Sequence, residues 1–138
     1  ARGTVTGLTR GTERGHIARA TLDAMALQNM DIITAMERDL GKRVKGLKVD
    51  GGASENNLLM QIQADVVGRQ LIRPALTEST VAGACYLAGL GVELWKGKKM
   101  LREIWKADRI FKVSWTQKKR AQRIKSWRAA IQKTTLES

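Results

Sequence analysis

Cysteine is almost absent from this sequence, with Cys85 the only one in 138 residues. That excludes an intrachain disulfide and a thiol cluster for zinc, and it fits a reducing cytoplasm better than a secreted setting. No apolar run approaches the length of a membrane-spanning helix, and no charged leader with an apolar centre opens the chain. The first residues, Ala1-Arg2-Gly3, lack an initiator Met, so an internal start, a fragment or a processed chain is expected. Two common nucleotide signatures are missing as well. No glycine loop ends in Gly-Lys-Ser/Thr as a P-loop does, and no three-glycine dinucleotide fingerprint follows a strand-like run. The length suffices for one modest domain with its own core.

Charge is plentiful and one-sided. Lys and Arg number 25 against 13 Asp and Glu, a formal net charge of +12, which favours association with anions and says little about fold. Lys118, Lys119, Arg120, Arg123, Lys125, Arg128 and Lys133 crowd the last part of the chain. Among them Ala121, Ile124, Trp127, Arg128 and Ile131 recur at helical spacing, which predicts an amphipathic basic helix over 116–138. Trp127 is its only aromatic residue, so the tail has no stacking surface for bases and nucleic acid is disfavoured as a partner. A solvated helix laying its Trp stripe on the body is the preferred reading. Contact of the basic tail with a membrane surface stays open beside it.

The body alternates strand-like and helical segments. Val5 and Leu8 within Thr4–Leu8 suit a short strand or its end. From His16 to about Asp39, the residues Ala18, Leu22, Met25, Ala26, Asn29, Ile33 and Met36 fall three and four apart, which predicts a long helix stopping near Gly41. Leu47-Lys48-Val49-Asp50 reads as a short strand ending at Gly51-Gly52. A second helix carries Leu59, Ile62 and Val66 and closes at Gly68. A further strand-like run, Gln70 to Arg73, stops at Pro74, and a third helix carries Val81, Ala84, Cys85, Ala88, Val92 and Trp95. The alternation predicts an α/β arrangement.

Gly51 and Gly52 stand between a strand and a helix. Paired glycines let a ligand approach the backbone closely, and the N–H groups at a helix start favour an anion. Ser54 is suited to cap the helix that follows. Taken alone, the pair reads more simply as a tight strand-to-helix turn.

Three ordered blocks widen the context. The first is Gly3-Thr4-Val5-Thr6-Gly7-Leu8, continued by His16-Ile17-Ala18-Arg19-Ala20-Thr21-Leu22-Asp23. The second is Asp50-Gly51-Gly52-Ala53 with Asn56-Asn57 and Leu59-Met60-Gln61, and the third is Arg73-Pro74 with Thr77-Glu78 and Thr80-Val81-Ala82-Gly83-Ala84. Together, from Ala1 to about Val113, they resemble the FGGY carbohydrate kinases, and among these the glycerol kinases. The resemblance implies part of the C-terminal domain of an actin-like (ribonuclease-H-like) ATPase fold. An incomplete nucleotide-binding domain would occupy residues 1–115, with a helical extension over 116–138 that exceeds the family core. It also implies that Gly52 and Asn56 contact the nucleotide, while Gly51 and Ala53 shape the loop around it. ATP/ADP, with Mg²⁺ in the full enzyme, and glycerol are the implied ligands of a cytoplasmic, homo-oligomeric enzyme. Another FGGY sugar kinase, or a non-catalytic basic module that binds anions, are the alternatives.

No catalytic residue and no metal ligand are assigned in this chain, because the family's carboxylate base and polyol-binding residues lie upstream of the matched region. Asp23, Asp31, Asp39, Asp50 and Asp65 fall in helical or strand-end patterns compatible with exposure or capping. His16 is expected to cap or pack at the start of the first helix, and Cys85 to be buried. Ala82, Gly83, Ala84, Ala88 and Gly89 are expected to pack closely beneath the cleft.

Overall fold

The computed structural model of the chain describes residues 3–136. Ala1 and Arg2, where the resemblance begins, and Glu137 and Ser138, the end of the basic tail, lie outside the described residues.

Helical spacing produces the first element. Helix α1 spans Arg14–Asp39. At its start the backbone N–H of Glu13 donates to His16 Nδ1 at 3.1 Å, so His16 caps as expected. Its end is turned off by Gly41 at φ 63°, a conformation that costs glycine least. The buried face is Asp23, Ala26, Leu27 and Met30, which is rotated from the expected stripe, because Met25 and Met36 are exposed.

Strand β1, Gly46–Lys48, precedes a 3₁₀ turn at Gly52–Glu55 and helix α2 at Asn57–Val67, and strand β2 follows at Gln70–Pro74. Gly68 ends α2 in the left-handed region, as expected, at φ 70°. Pro74, without an N–H to give, sits at the last position of β2, where the pairing slips between Arg73 and Pro74. Helix α3 spans Ser79–Gly91, α4 Lys98–Ile104, strand β3 Ala107–Phe111 and helix α5 Gln117–Leu136. The sheet order is β1-β2-β3, with β2 parallel to β1 and antiparallel to β3.

Helix α2 is the hub. Its Leu59, Met60, Ile62, Ala64 and Val66 join Ala26, Leu27 and Met30 of α1, Leu71 of β2 and Phe111 of β3 in one apolar core. Ile124 and Trp127 of α5, with Trp115 before it, close this core from the side. The basic helix therefore lays its Trp stripe on the body, as the spacing of its apolar residues predicts.

Other expectations fail as well. Thr4–Leu8 forms no strand. Helix α3 stops at Gly91, and the chain reverses through Glu93 at φ 58°. That reversal returns Trp95 onto Gly89, where an added Cβ would lie 2.1 Å from the indole Nε1. Cys85 is exposed rather than buried. Within the small-residue face of α3 only Gly89 is fully buried. Helix α4 and strand β3 were not anticipated. The run Ala107–Phe111 has a charged centre and becomes a strand only because β2 pairs with it.

Candidate functional site

The loop joining β1 to α2 is built from both ends. Past the end of β1, Val49 donates its N–H to Ile72 O at 3.1 Å, which carries the parallel ladder one residue further. Gly51 then takes φ 79° and ψ 165°, a backbone position that disfavours any side chain. Its N–H is held by Thr77 O at 2.8 Å. Gly52 opens the 3₁₀ turn without a positive φ. A Cβ added at Gly51 or Gly52 would meet nothing within 4 Å, so the backbone here faces open space that a ligand can enter.

Ser54 is buried, and its hydroxyl donates to Gly51 O at 2.7 Å. It therefore locks the turn on itself and does not cap α2, contrary to the sequence expectation. The cap is Asn56, whose Oδ1 accepts from Leu59 N at 3.0 Å. With that oxygen committed, the amide nitrogen of Asn56 is the part of the side chain left for another group. Ala53 lies between, exposed, on the same turn. The four residues singled out in the sequence, Gly51, Gly52, Ala53 and Asn56, thus lie on one short turn.

Sequence reasoning missed the residue that fastens this turn. Arg73 of β2 sends Nη1 to Ser54 O at 2.9 Å, Glu55 O at 3.2 Å and Asn57 Oδ1 at 3.0 Å. Its Nε and Nη2 bind Asp108 Oδ2 of β3 at 2.8 and 2.6 Å, and Phe111 lies beneath the guanidinium at 5.5 Å. Thr77 adds a hydroxyl bond to Glu55 Oε1 at 3.1 Å. Nothing local in the sequence marks Arg73 beyond its place beside Pro74.

The carboxylates considered in the sequence separate into two kinds. Asp39 and Asp50 are exposed. Asp23 and Asp65 are buried, contrary to expectation, and are fully engaged. Asp23 pairs with Arg19 at 2.8 Å and with Arg123, while Asp65 accepts from Ser114 and Trp115. Asp31 accepts from Trp127 Nε1 at 2.7 Å. None of these five faces the glycine turn in a hydrogen bond. Among the described residues no three or more His, Cys, Asp or Glu side chains converge as a metal site, and no helix is long and apolar enough to cross a membrane.

A cavity of about 640 Å³ lies elsewhere, between residues 4–12, α1 and α5, lined by His16, Thr21, Arg123 and Trp127 among others. It shares no residue with the glycine turn. The turn itself is an open surface, which suits one wall of a cleft more than a complete pocket.

The model of the FGGY family of carbohydrate kinases, C-terminal domain, matches residues 1–92. A glycerol kinase of Bdellovibrio bacteriovorus is 51% identical over 133 residues, covering 96% of this chain and 27% of the relative. One of Dechloromonas aromatica is 47% identical over 134 residues, again covering 27% of the relative. The chain thus spans about a quarter of the length of these proteins. The family model ends at residue 92, ahead of α5, while the alignment with the Bdellovibrio protein takes in 133 of the 138 residues. In structure, the chain superposes on a Plasmodium falciparum glycerol kinase solved with ADP, with TM-score 0.87 and 32% identity, covering 97% of this chain and 27% of the other. It also superposes on a xylulose kinase of Rhodospirillum rubrum, with TM-score 0.75 and 24% identity, covering 94% of this chain and 27% of the other; that likeness speaks to fold alone. With the family model matching residues 1–92 and about half of the residues identical to those of a glycerol kinase, the chain belongs to the FGGY family of carbohydrate kinases, and carries part of the C-terminal domain of their actin-like ATPase fold.

Proposed function

We propose that this chain forms the nucleotide-side wall of the cleft in a glycerol kinase, with Gly51, Gly52, Ala53 and Asn56 against ATP or ADP. The observation that carries the reading is the open face of the turn, where Gly51 at φ 79° and Gly52 present bare backbone beside the Asn56 amide. Identities of 47–51% to glycerol kinases favour glycerol as the acceptor. In the full-length protein a terminal hydroxyl of glycerol attacks the γ-phosphorus of ATP, the bond to the β-phosphate oxygen breaks, and ADP leaves. The hydroxyl proton passes to a base. The buried aspartates here are engaged by Arg, Ser and Trp partners, so the base is assigned to the remainder of the polypeptide. Mg²⁺ accompanying the nucleotide would neutralise phosphate charge, and the described residues offer no converging acidic cluster for it. The chain alone accordingly binds nucleotide without turnover. Its single thiol accords with a cytoplasmic enzyme.

Calorimetry with ADP tests this directly, comparing the chain, its Gly52→Val variant and a polypeptide of the relatives' full length. Because a Cβ at Gly52 meets open space, valine leaves the fold intact and obstructs only an incoming ligand. The expected result is weak ADP binding that the variant abolishes, with glycerol phosphorylation in the longer polypeptide alone. Equal binding by wild type and Gly52→Val would remove the turn from the nucleotide site.

A further inference from the structure

A turn with two consecutive glycines loses much conformational entropy on ordering, and a 3₁₀ segment of four residues has few bonds of its own to hold it. Something outside the turn must keep it in shape. Most of that fastening comes from one side chain. Arg73 stands on β2, the central strand, and is bonded along both edges of its guanidinium. One edge is fixed by Asp108 of the neighbouring strand, and the other reaches the carbonyls of Ser54 and Glu55 and the side chain of Asn57. Asn56 sits between the last two of these contacts, so Nη1 holds the residues on either side of it. The Arg73 side chain is 12% exposed against 47% for Asp108, so the guanidinium is sheltered from water more than its carboxylate partner.

We infer that Arg73 is the positioning residue of the nucleotide turn, and that it sets the height of Gly52 and the direction of the Asn56 amide without touching the nucleotide. The inference rests on the assignment of Gly51–Asn56 to the nucleotide. A planar fork is needed because the two sets of partners lie on different sides of the group. Lysine keeps the charge and cannot bond in both directions at once. With the clamp loosened, the turn samples conformers that do not bind, and apparent affinity falls with the competent fraction. Asp108 holds the guanidinium in place, so its loss acts in the same direction and more weakly.

The test uses the full-length polypeptide with Arg73→Lys, Asp108→Asn and Gly52→Val, measuring the ADP dissociation constant, KM for ATP and for glycerol, kcat and thermal unfolding. Arg73→Lys is expected to raise the ADP dissociation constant and the ATP KM about ten-fold while the glycerol KM stays within about two-fold. Asp108→Asn is expected to raise the same two quantities about three-fold. Unchanged nucleotide affinity in folded Arg73→Lys overturns the inference, and so does a parallel loss in nucleotide and glycerol parameters, which a merely structural role would give. Should Arg73→Lys fail to fold, Asp108→Asn decides, and unchanged nucleotide affinity there overturns it equally. If Gly52→Val has no effect, the nucleotide turn itself is wrong. If Gly52→Val weakens binding and Arg73→Lys does not, only the clamp is wrong.

Discussion

The carboxylate of Asp65, in the middle of α2, receives both the backbone N–H and the hydroxyl of Ser114, 49 residues further along the chain. It also takes the N–H of Trp115 at 3.0 Å. Asp65 is 2% exposed, so it serves as a buried anchor for the link between β3 and α5. Replacing it with alanine leaves two backbone donors without their partner, and is expected to cost about 3 kcal/mol of stability. Urea denaturation of Asp65→Ala beside wild type measures this. A loss below about 1 kcal/mol would mean that residues 114–116 find other partners.

A second fastening joins α5 to α1 through Trp127 and Asp31, bonded at 2.7 Å. Trp127→Phe keeps an aromatic ring on the core and removes the donor, and is expected to cost about 1 kcal/mol. In a double-mutant cycle with Asp31→Ala, a coupling of about 1 kcal/mol is expected, and zero coupling would show that the bond contributes nothing to stability.

Asp23, 4% exposed, is shared between Arg19 of its own helix and Arg123 of α5. Arg123→Ala removes the cross-helix partner and leaves the local one. The expected consequence is loosening of α5 ahead of the rest, read as faster tryptic cleavage within Gln117–Leu136 at unchanged protection of α2. Uniform protection of both helices would contradict it.

At Gly68, φ 70° is required to end α2 and a Cβ would also run into the Arg120 guanidinium. The Arg side chain can swing away; the backbone cannot. Gly68→Ala is therefore expected to lose about 1 kcal/mol, and Gly68→Asn less, since Asn tolerates the left-handed region. Equal melting temperatures for all three would show that the turn relaxes freely.

Helix α3 presents Val81 and Leu87 to solvent, with Leu87 72% exposed, and Val92 just past its end is exposed as well. Exposed apolar side chains of this kind favour association. The chain on its own is expected to self-associate in light scattering, Leu87→Lys to reduce it, and the exposed Cys85 of the same helix to react readily with a thiol reagent. A monomer of wild type at high concentration would sink this expectation.

Helical periodicity in α1, α2 and α3 was readable because apolar residues three and four apart need only a local geometry to share a face. Gly41 and Gly68 were readable for a similar reason, since ending a helix in the left-handed region is a property of one residue. The face that α1 buries was not readable. It is chosen by α2, with Asn29 bonding Gln63 at 3.0 Å across the two helices. Ser54 looked like a cap from its place before α2, but the backbone path sends its hydroxyl back to Gly51 and leaves Asn56 to cap.

Sequence alone thus determined the kind of chain this is: the order of strand, glycine turn and helix, the residues of the turn, and the family whose blocks they match. These depend on spacing and residue type along a short stretch. Only tertiary structure decided that Arg73 clamps the turn, that Asp65 and Asp23 are buried anchors, and that Ala107–Phe111 is a strand. Each of those outcomes depends on a partner between 16 and 100 residues away, or on pairing with a neighbouring strand. A side chain's burial and bonds follow from what the fold places opposite it, which no local pattern records.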